Sequence, residues 1–214
     1  DGIPLLSYNT IKVTEWQLFV KRAVDIIVSS VAIFVLSPVY LGAALAIKLT
    51  SPGPIFFRQE RMGLHGRHFK LVKFRTMRTD AEKELSRVDD LEQMTTPEFR
   101  NKKLKYITLV GRFLRKFSLD ELPQFFNVLA GDMSIVGPRP TVPCEVDRYE
   151  VWQRRRFSMK PGLTCLWQVS GRNEINHSDW MKLDLEYIDH FSLWLDMNIM
   201  LKTIPAVVLG KGAY

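Results

Sequence analysis

The feature that most constrains this chain is an apolar segment without a charged residue, residues 26–47. A helix of this length, at about 1.5 Å per residue, can cross a hydrocarbon core of about 30 Å. A helix this long in a soluble protein normally carries a polar face, whereas here the only polar side chains are serines and one tyrosine. The segment therefore predicts a membrane-embedded helix.

Ser37 and Pro38 interrupt this segment near its middle. Proline removes one backbone hydrogen bond and clashes with the preceding turn, so we expect the helix to bend there. The serine hydroxyl can satisfy a freed backbone group where no water is available. The pair therefore predicts a break in the membrane helix.

Basic residues flank the segment on both sides, at Lys21, Arg22, Lys48, Arg58 and Arg61. A single span would place one of these basic clusters on the outer side of the membrane, contrary to the positive-inside rule. A bent helix that enters and leaves by one face would keep both clusters on the cytoplasmic side. We therefore favour a re-entrant hairpin over a simple span. We expect Asp25 to pair with Lys21 or Arg22 at the membrane surface, the alternative being a functional acid within the membrane.

The charge balance of 30 Lys and Arg against 23 Asp and Glu gives a formal net charge of +7. Such a balance favours an anionic partner, whether nucleic acid, anionic lipid or a phosphorylated substrate. Nucleic acid is disfavoured, because the cations cluster around carboxylates and show no known nucleic-acid motif. The two cysteines, Cys144 and Cys165, lack metal-site spacing and fit free thiols in a reducing compartment.

Beyond residue 50 the pattern predicts a mainly helical domain with a few short strands, an α+β fold with amphipathic surface helices. Residues 69–75 alternate apolar and basic side chains and indicate a strand, and residues 55–57 indicate another. Prolines on either side of Arg139 predict an extended loop. Helices are expected over 109–117, 120–129, 145–157, 180–191 and 192–208. The last of these could pack in the core or lie on the membrane surface.

Two adjacent carboxylates, Asp120 and Glu121, follow a basic stretch that contains Arg115 and precede Arg139. An acidic pair beside cations suits chemistry on phosphates, because carboxylates can attack phosphorus or hold a divalent metal while arginines neutralise phosphoryl oxygens. Taken alone, such a pair is more often part of a solvated helix face.

The order of motifs resembles the bacterial sugar transferases, the monotopic polyprenyl-phosphate phosphoglycosyl transferases. The matching stretches are KRxxD at 21–25, FRxxRxGxxG at 57–66, KFRTM at 73–77, GRFLRxxSLDELPQ at 111–124, NVLxGDMSxVGPRP at 127–140, KPGLT at 160–164 and GRN at 171–173. The resemblance is to the catalytic domain of a large member of the undecaprenyl-phosphate galactose or glucose phosphotransferase type.

That resemblance implies a linker remnant at 1–16, a re-entrant membrane helix at 17–50 and a catalytic domain at 51–214, on the cytoplasmic face of the bacterial inner membrane. One departure concerns Cys165, which stands where many relatives have glycine. If that position required a left-handed backbone, cysteine would be strained there.

The activity implied by the resemblance is transfer of a phospho-sugar from a UDP-sugar to polyprenyl (undecaprenyl) phosphate, with release of UMP. This is the first membrane step of surface polysaccharide assembly, as for O-antigen or exopolysaccharide. Asp120 would attack the β-phosphate and form a covalent phospho-sugar intermediate, and Glu121, with Asp120, would hold Mg²⁺. The phosphate-binding residues would be Arg115, Arg139, Arg172, Lys73 and Arg75.

The expected partners are a UDP-sugar, polyprenyl phosphate and an anionic phospholipid membrane, without nucleic acid; a homo-oligomer and the identity of the sugar stay open. Two other functions also remain open. One is a basic, membrane-tethered lipid-binding module without enzymatic activity. The other is a metal-dependent lipid-phosphate hydrolase, which would need a group that activates water, whereas the sequence has no histidine-rich ligand set.

Overall fold

The computed structural model describes residues 13–81, 104–169 and 177–208. This part of the chain is mainly helical with a few short strands, which confirms the predicted secondary-structure content. The helices are α1 (Glu15–Val35), α2 (Ser37–Thr50), α3 (Leu109–Lys116), α4 (Gln124–Ala130), α5 (Pro143–Val146), α6 (Leu166–Val169), α7 (His177–Asp189) and α8 (Leu193–Val208). The strands are β1 (Phe56–Met62), β2 (His68–Phe74), β3 (Ser134–Val136) and β4 (Gly162–Thr164), and 3₁₀ turns lie at Leu64–Gly66, Leu119–Glu121 and Gln153–Ser158.

A bent pair of helices opens the described chain. α1 begins at a capping box, in which Thr14 and Gln17 each accept a hydrogen bond from the other's backbone N–H. It ends at Leu36, and α2 leaves at an angle of 60°. Within the described residues no single helix is long and apolar enough to cross a membrane. The two helices of this bent pair together have the length and the apolar composition of a membrane-crossing segment.

The break lies at the predicted motif, one residue before Ser37. Pro38 occupies the first turn of α2, where its missing N–H costs no helical hydrogen bond. The Ser37 hydroxyl donates to the carbonyl of Phe34 at 2.8 Å, so it satisfies a backbone group at the end of α1 as expected. Ser37 therefore satisfies a carbonyl at the end of α1, and Pro38 begins α2 on the other side of the same bend.

The inner face of α1 is anchored to the rest of the protein by buried polar groups. The Lys21 ammonium donates to the carbonyl of Val136 at 2.8 Å and to the Asp196 carboxylate at 2.5 Å. Arg22 donates to the carbonyls of Val128 and Leu129 at the end of α4. These bonds fix α1 against β3, α4 and α8.

The pairing expected for Asp25 is wrong. Its carboxylate is buried and accepts hydrogen bonds from the Ser134 hydroxyl at 3.0 Å and the Ile135 N–H at 2.8 Å. The neighbouring cations on α1 are turned toward more distant partners, since burial of this face forces each group to find its bond within the folded domain. Asp25 thus holds the start of β3 against α1.

β1 and β2 form an antiparallel hairpin that runs from the Phe56–Phe74 pair to the Met62–His68 pair. Alternate side chains of β2 are buried, which confirms the predicted strand. The Asn127 side chain ties this hairpin to α4: it donates to the Lys70 carbonyl at 2.8 Å and accepts from the Val72 N–H at 3.0 Å.

The second sheet pairs β3 and β4 in parallel, and the sequence did not predict it. The two segments meet at glycines, since a Cβ on Gly162 would lie 2.1 Å from the backbone nitrogen of Gly137. Only residues without a side chain allow this approach. The sheet sets β4, and the loop that follows it, beside the loop that holds Arg139.

Two helix predictions are corrected by the structure. The expected helix over 145–157 is a short α5 followed by the 3₁₀ turn Gln153–Ser158, because Tyr149 and Arg156 turn into the interior. The expected helix over 120–129 is the 3₁₀ turn Leu119–Glu121 followed by α4, and Pro123 stands between them.

Two apolar clusters make up the core. The larger joins β2, β3, α4, α7 and α8. The smaller contains Ala43, Ile47, Phe74 and Leu114, so α2 packs on the hairpin and on α3. One face of α8 is core, with Ile199 fully buried, while its opposite face leaves four apolar side chains exposed: Trp194, Met197, Leu201 and Ile204.

Candidate active site

The acidic pair lies on a tight 3₁₀ turn between α3 and α4. Ser118 adopts a left-handed backbone with φ 54°, which reverses the chain directly after α3. Its N–H bonds the Arg115 carbonyl at 3.1 Å, and its carbonyl accepts from the Glu121 N–H at 3.2 Å. This turn brings Asp120 back beside Arg115, five residues earlier.

Asp120 is buried within this turn, whereas Glu121 is only partly covered. Lys73, near the end of β2, donates to the Glu121 carboxylate at 2.6 Å. Burial raises the pKa of Asp120, and the negative charge of Glu121 raises it further, while Lys73 and Arg115 act in the opposite direction. The two carboxylates are thus held together at the cost of a less acidic Asp120.

Arg115 is held in place by the segment that follows β2. Its Nε donates to the Thr76 hydroxyl at 2.9 Å, and Thr76 in turn bonds the start of α3 through its carbonyl, which accepts from the Thr108 N–H at 3.0 Å. Burial lowers the pKa of Arg115, and the two carboxylates oppose that effect. The guanidinium therefore lies in a partly dehydrated position beside the acidic pair.

Arg139 is fixed through both its backbone and its side chain. Its guanidinium carbon lies 5.6 Å from the ring centre of Trp167 and 5.9 Å from that of Trp180. The two indoles stack on each other with centres 5.1 Å apart. Cation–π contacts of this kind orient the guanidinium and leave its donors available in the ring plane.

A buried ion pair, Arg156 with Asp184, fixes the backbone on either side of Arg139. Arg156 donates to the Arg139 carbonyl at 2.9 Å, and Asp184 accepts from the Arg139 N–H at 3.4 Å. Arg156 also donates to the Tyr149 hydroxyl at 2.8 Å. Burial raises the pKa of Asp184 to about 6 despite the adjacent guanidinium. The loop that contains Arg139 is therefore held by Asp184 of α7 and by Arg156 of the 3₁₀ turn Gln153–Ser158.

Lys73, Glu121 and Arg139 line one polar cavity between β1, β2, α4 and the β4–α6 region. Its lining includes the cations Arg61, Lys73 and Arg139, the carboxylate of Glu121, and the amides Gln124 and Gln168. Three cations around one carboxylate make a site that favours a ligand with several negative charges.

The place of Arg61 in this cavity was not predicted. Its guanidinium donates to the Pro140 carbonyl at 3.0 Å and to the Gln59 side chain at 2.6 Å. Its buried Nε has no hydrogen-bond partner among the described residues. Burial and the nearby Arg139 lower its pKa to about 10. Alternation along β1 is the signal that would have found it, since Phe57, Gln59 and Arg61 share the less exposed face.

One predicted phosphate ligand lies outside the cavity. Arg75 is buried and donates to the carbonyls of Ser51 and Pro52 and to the Ser51 hydroxyl, which places it at the turn after α2 and outside the cavity lining. Arg172 lies outside the described residues. The structure therefore brings Lys73 and Arg139 into one cavity with Glu121, and it sets Arg115 beside Asp120.

The doubt about Cys165 is resolved. Among the described non-glycine residues only His65 and Ser118 have positive φ, so cysteine carries no left-handed strain at position 165. Its backbone N–H donates to the Gln168 side chain at 3.1 Å, and its thiol contributes to the cavity wall. Complete burial raises the thiol's pKa well above its usual range, so this cysteine is a packing residue.

The acidic pair, of which Glu121 lines the cavity, supplies the donors that fit Mg²⁺. Magnesium is typically held by one or two carboxylates together with water and substrate phosphates, and Asp120 and Glu121 supply hard oxygens of that kind. The described residues contain no group of three or more acidic, histidine or cysteine side chains that could enclose a metal alone. The donor set therefore fits an ion shared with a phosphorylated ligand.

A family model for bacterial sugar transferases matches residues 16–210 of this chain, which begin one residue into α1 and include every later element described above. The chain belongs to the bacterial sugar transferase family. The resemblance drawn from the motifs is thereby confirmed, and the acidic pair and the cavity both lie within the matched region.

Curated relatives match the chain over nearly its whole length. The galactosyl transferase CpsE of Streptococcus agalactiae is 42% identical over 214 residues, covering 100% of this chain and 47% of that protein. The exopolysaccharide production protein ExoY of Rhizobium meliloti is 39% identical, covering 91% of this chain and 88% of that protein. The undecaprenyl-phosphate galactose phosphotransferase of Salmonella typhimurium is 42% identical, covering 92% of this chain and 42% of that protein. The chain thus spans less than half the length of two of these relatives.

Proposed function

We propose that this chain is a phosphoglycosyl transferase that moves a phospho-sugar from a UDP-sugar to polyprenyl phosphate and releases UMP. The observation that carries the proposal is the buried Asp120, held beside Glu121, Lys73 and Arg115 in a member of the sugar transferase family. Relatives from Salmonella and Klebsiella are named as a galactose phosphotransferase and a glucose-1-phosphate transferase that act on undecaprenyl phosphate, which agrees with this reaction.

In the first step an oxygen of the Asp120 carboxylate attacks the β-phosphorus of the UDP-sugar. A phosphorus–oxygen bond forms to Asp120, and the bond from that phosphorus to the bridging oxygen breaks, so UMP leaves with the bonding electrons. In the second step an oxygen of polyprenyl phosphate attacks the same phosphorus. The acyl phosphate bond breaks, the carboxylate is restored, and polyprenyl diphosphate sugar is formed. Neither step requires a proton to be gained or lost.

The surrounding cations oppose the repulsion between an anionic nucleophile and an anionic diphosphate. The guanidinium of Arg139 is held against two indole rings and can bind a phosphate group in a bidentate manner. Arg61 offers a buried Nε donor in the same cavity. Lys73 neutralises Glu121, and Arg115 lies next to the nucleophile. Arg172 remains a proposed phosphate ligand on the resemblance alone, whereas the Arg75 guanidinium is bonded to the Ser51 and Pro52 carbonyls. Mg²⁺ bound at the acidic pair would neutralise diphosphate oxygens and stabilise the departing UMP.

We place the bent pair α1–α2 in the inner leaflet of the bacterial cytoplasmic membrane as a re-entrant hairpin, with the cavity on the cytoplasmic face, where UDP-sugars are found. The exposed apolar side chains of the pair, among them Phe34, Leu41 and Leu45, would face lipid. The exposed face of α8 is a second candidate for membrane contact, and the net positive charge favours anionic headgroups.

The reaction is tested by incubating the protein with Mg²⁺ and a UDP-sugar carrying ³²P at the β-phosphate, without lipid acceptor. We expect label to become covalently bound and to be released as lipid product when polyprenyl phosphate is added. Asp120→Asn should abolish labelling, whereas Asp147→Asn, an exposed aspartate outside the cavity, should label normally. Turnover by the wild type with no trapped intermediate would contradict the covalent route, and release of free phosphate in place of lipid product would favour a hydrolase.

A further inference from the structure

Tyr40, in the first turn of α2, reaches the 3₁₀ turn that carries the acidic pair. Its hydroxyl donates to the Leu122 carbonyl at 2.6 Å, two residues after Asp120. The two bonded residues are 82 positions apart in sequence, so the bond exists only through the packing of the fold. A direct hydrogen bond therefore joins the second arm of the bent helix pair to the chain that follows Asp120.

The Tyr40 ring is itself held by packing. Its centre lies 5.7 Å from that of Phe74 at the end of β2 and 5.8 Å from that of Phe126 in α4. Leu119 and Leu122, the apolar side chains of the turn, pack against the same buried cluster as Tyr40. These contacts fix the direction of the hydroxyl toward the turn.

Tyr40 supports the turn from the side opposite the polar cavity. Lys73 and Phe74 are consecutive in β2, so their side chains lie on opposite faces of the strand. Lys73 lines the cavity and bonds Glu121, whereas Phe74 belongs to the apolar cluster that Tyr40 contacts. The hydroxyl of Tyr40 therefore holds the turn without occupying the face that binds ligand.

The turn depends on such external support because its own backbone bonds are short-range. The Glu121 N–H bonds the Ser118 carbonyl at 3.2 Å, and the Leu122 N–H bonds the Leu119 carbonyl at 3.3 Å. Bonds of this 3₁₀ type have poorer geometry than α-helical ones. Pro123, which follows directly, has no N–H to donate. Side chains from other elements must therefore fix where the turn lies.

We infer that Tyr40 is a positioning residue for the nucleophile: its bond to Leu122 holds the turn so that the Asp120 carboxylate stays directed toward the donor's β-phosphorus. Lys73 also holds the turn, but through Glu121, a carboxylate that a bound Mg²⁺ would share. The Tyr40 bond involves neither carboxylate, so it can persist throughout the reaction. The inference rests on the proposed function and adds a residue of the bent helix pair to it.

The first test removes the hydroxyl and keeps the ring. In Tyr40→Phe we expect the single-turnover rate of labelling by the UDP-sugar to fall about tenfold with its KM unchanged, since a misplacement of about 1 Å can cost about 100-fold in rate. Thr50→Val is the matched control, because the Thr50 hydroxyl also makes a 2.6 Å bond from α2, but to the Ala46 carbonyl of the same helix. This control should label like the wild type.

A restored donor separates the hydrogen bond from the packing of the ring. Replacement of Tyr40 by 4-aminophenylalanine places an N–H donor where the hydroxyl lies, so most of the rate lost in Tyr40→Phe should return. A rate that stays low with this donor would assign the effect to packing and overturn the inference. Wild-type labelling by Tyr40→Phe, or an equal slowing in Thr50→Val, would overturn it as well.

Hydrogen exchange followed by mass spectrometry measures the hold on the turn without the reaction. In Tyr40→Phe we expect faster exchange of the backbone amides in residues 118–122, with the amides of α7 as an unchanged reference. A wild type that never labels would contradict the proposed function, and with it any part for Tyr40 in catalysis. A wild type that labels, with unchanged protection of the turn in Tyr40→Phe, would overturn this inference alone.

Discussion

Gly111 lies where the helix that carries Arg115 crosses the segment after β2, and adding a single methyl group there tests how the site is positioned. A Cβ on Gly111 would lie 2.1 Å from the carbonyl oxygen of Thr76, about 0.9 Å inside the 3.0 Å limit for such contacts. The obstacle is backbone and cannot rotate away. Gly111→Ala must therefore push α3 and the Thr76 segment apart by close to 1 Å.

The magnitudes follow from that displacement. Overpacking of a closed contact costs about 1–3 kcal/mol, from which a helical Gly→Ala change recovers about 0.5–1 kcal/mol. Arg115 moves with α3, and its bond to Thr76 crosses the same interface. Since a misplacement of about 1 Å can cost about 100-fold in rate, we expect labelling by the UDP-sugar to slow by about tenfold to 100-fold.

Gly42→Ala is the matched control, because Gly42 is also helical and its Cβ would meet no atom within 4 Å. Thermal unfolding and single-turnover labelling, measured in detergent for both variants, give the comparison. The control should be as stable as the wild type or slightly more stable, by about 0.5–1 kcal/mol, with normal labelling. If Gly111→Ala also melted and labelled like the wild type, the close packing of α3 on Thr76 would not position the site.

Three further predictions concern other parts of the protein. Burial and the charge of Glu121 raise the pKa of Asp120, so in the metal-free protein its carboxyl should titrate above the ordinary aspartate value of 3.8 when followed by NMR. Glu121→Gln should move that titration to lower pH, and a metal-free wild type that titrates at the ordinary value would contradict the expectation. Lys21→Met leaves Asp196 buried without its cation and should lower the free energy of unfolding by about 3–5 kcal/mol, measured by thermal unfolding. The double variant Lys21→Met/Asp196→Leu should be less destabilised than Lys21→Met, and an equal loss of stability in both would refute the pairing. Pro38→Ala removes the ring that would clash with the preceding turn and supplies the N–H that a continuous helix would need, so we expect a straighter helix, lower activity and a changed accessibility of the flanks to membrane-impermeant labels. Wild-type behaviour in both assays would show that the proline does not maintain the bend.

Local patterns predicted the elements whose signal is local. The alternation of apolar and basic side chains in 69–75 predicted β2, and the apolar periodicity near the C-terminus predicted α7 and α8. In these elements the spacing of the apolar residues matches the face that the fold buries. The pairing of β3 with β4 carries no such signal. Each strand has three residues, and the contact depends on glycines at 137 and 162 that are far apart in sequence.

The charges of α1 show why partner assignment failed. Sequence proximity made Lys21 and Arg22 the natural partners of Asp25, which is a sound rule for exposed helix faces. This face is buried, and Lys21 instead reaches Asp196, 175 residues away. Such a bond becomes predictable only when the fold is known, since it is the packing of α1 on α8 that creates it.

The site was predicted where the motif itself carries the chemistry and missed where topology assembles it. The adjacency of Asp120 and Glu121 is visible in the sequence. The convergence of Arg61, Lys73 and Arg139 on one cavity depends on the β1–β2 hairpin lying beside the loop between β3 and α5. The aromatic stack under Arg139 likewise joins α6 to α7, so its role could not be derived from spacing.

Hydrogen bonds on both sides of the break connect the bent helix pair to the turn that carries Asp120. α1 is held to α4 through Arg22, and α2 is held to the turn after Asp120 through Tyr40. Since α4 begins directly after that turn, both arms of the hairpin contact the same short stretch of chain from opposite ends. A change in the bend angle should therefore move the turn that carries Asp120, and, if the pair is the proposed re-entrant hairpin, its depth in the membrane would set the depth of that carboxylate.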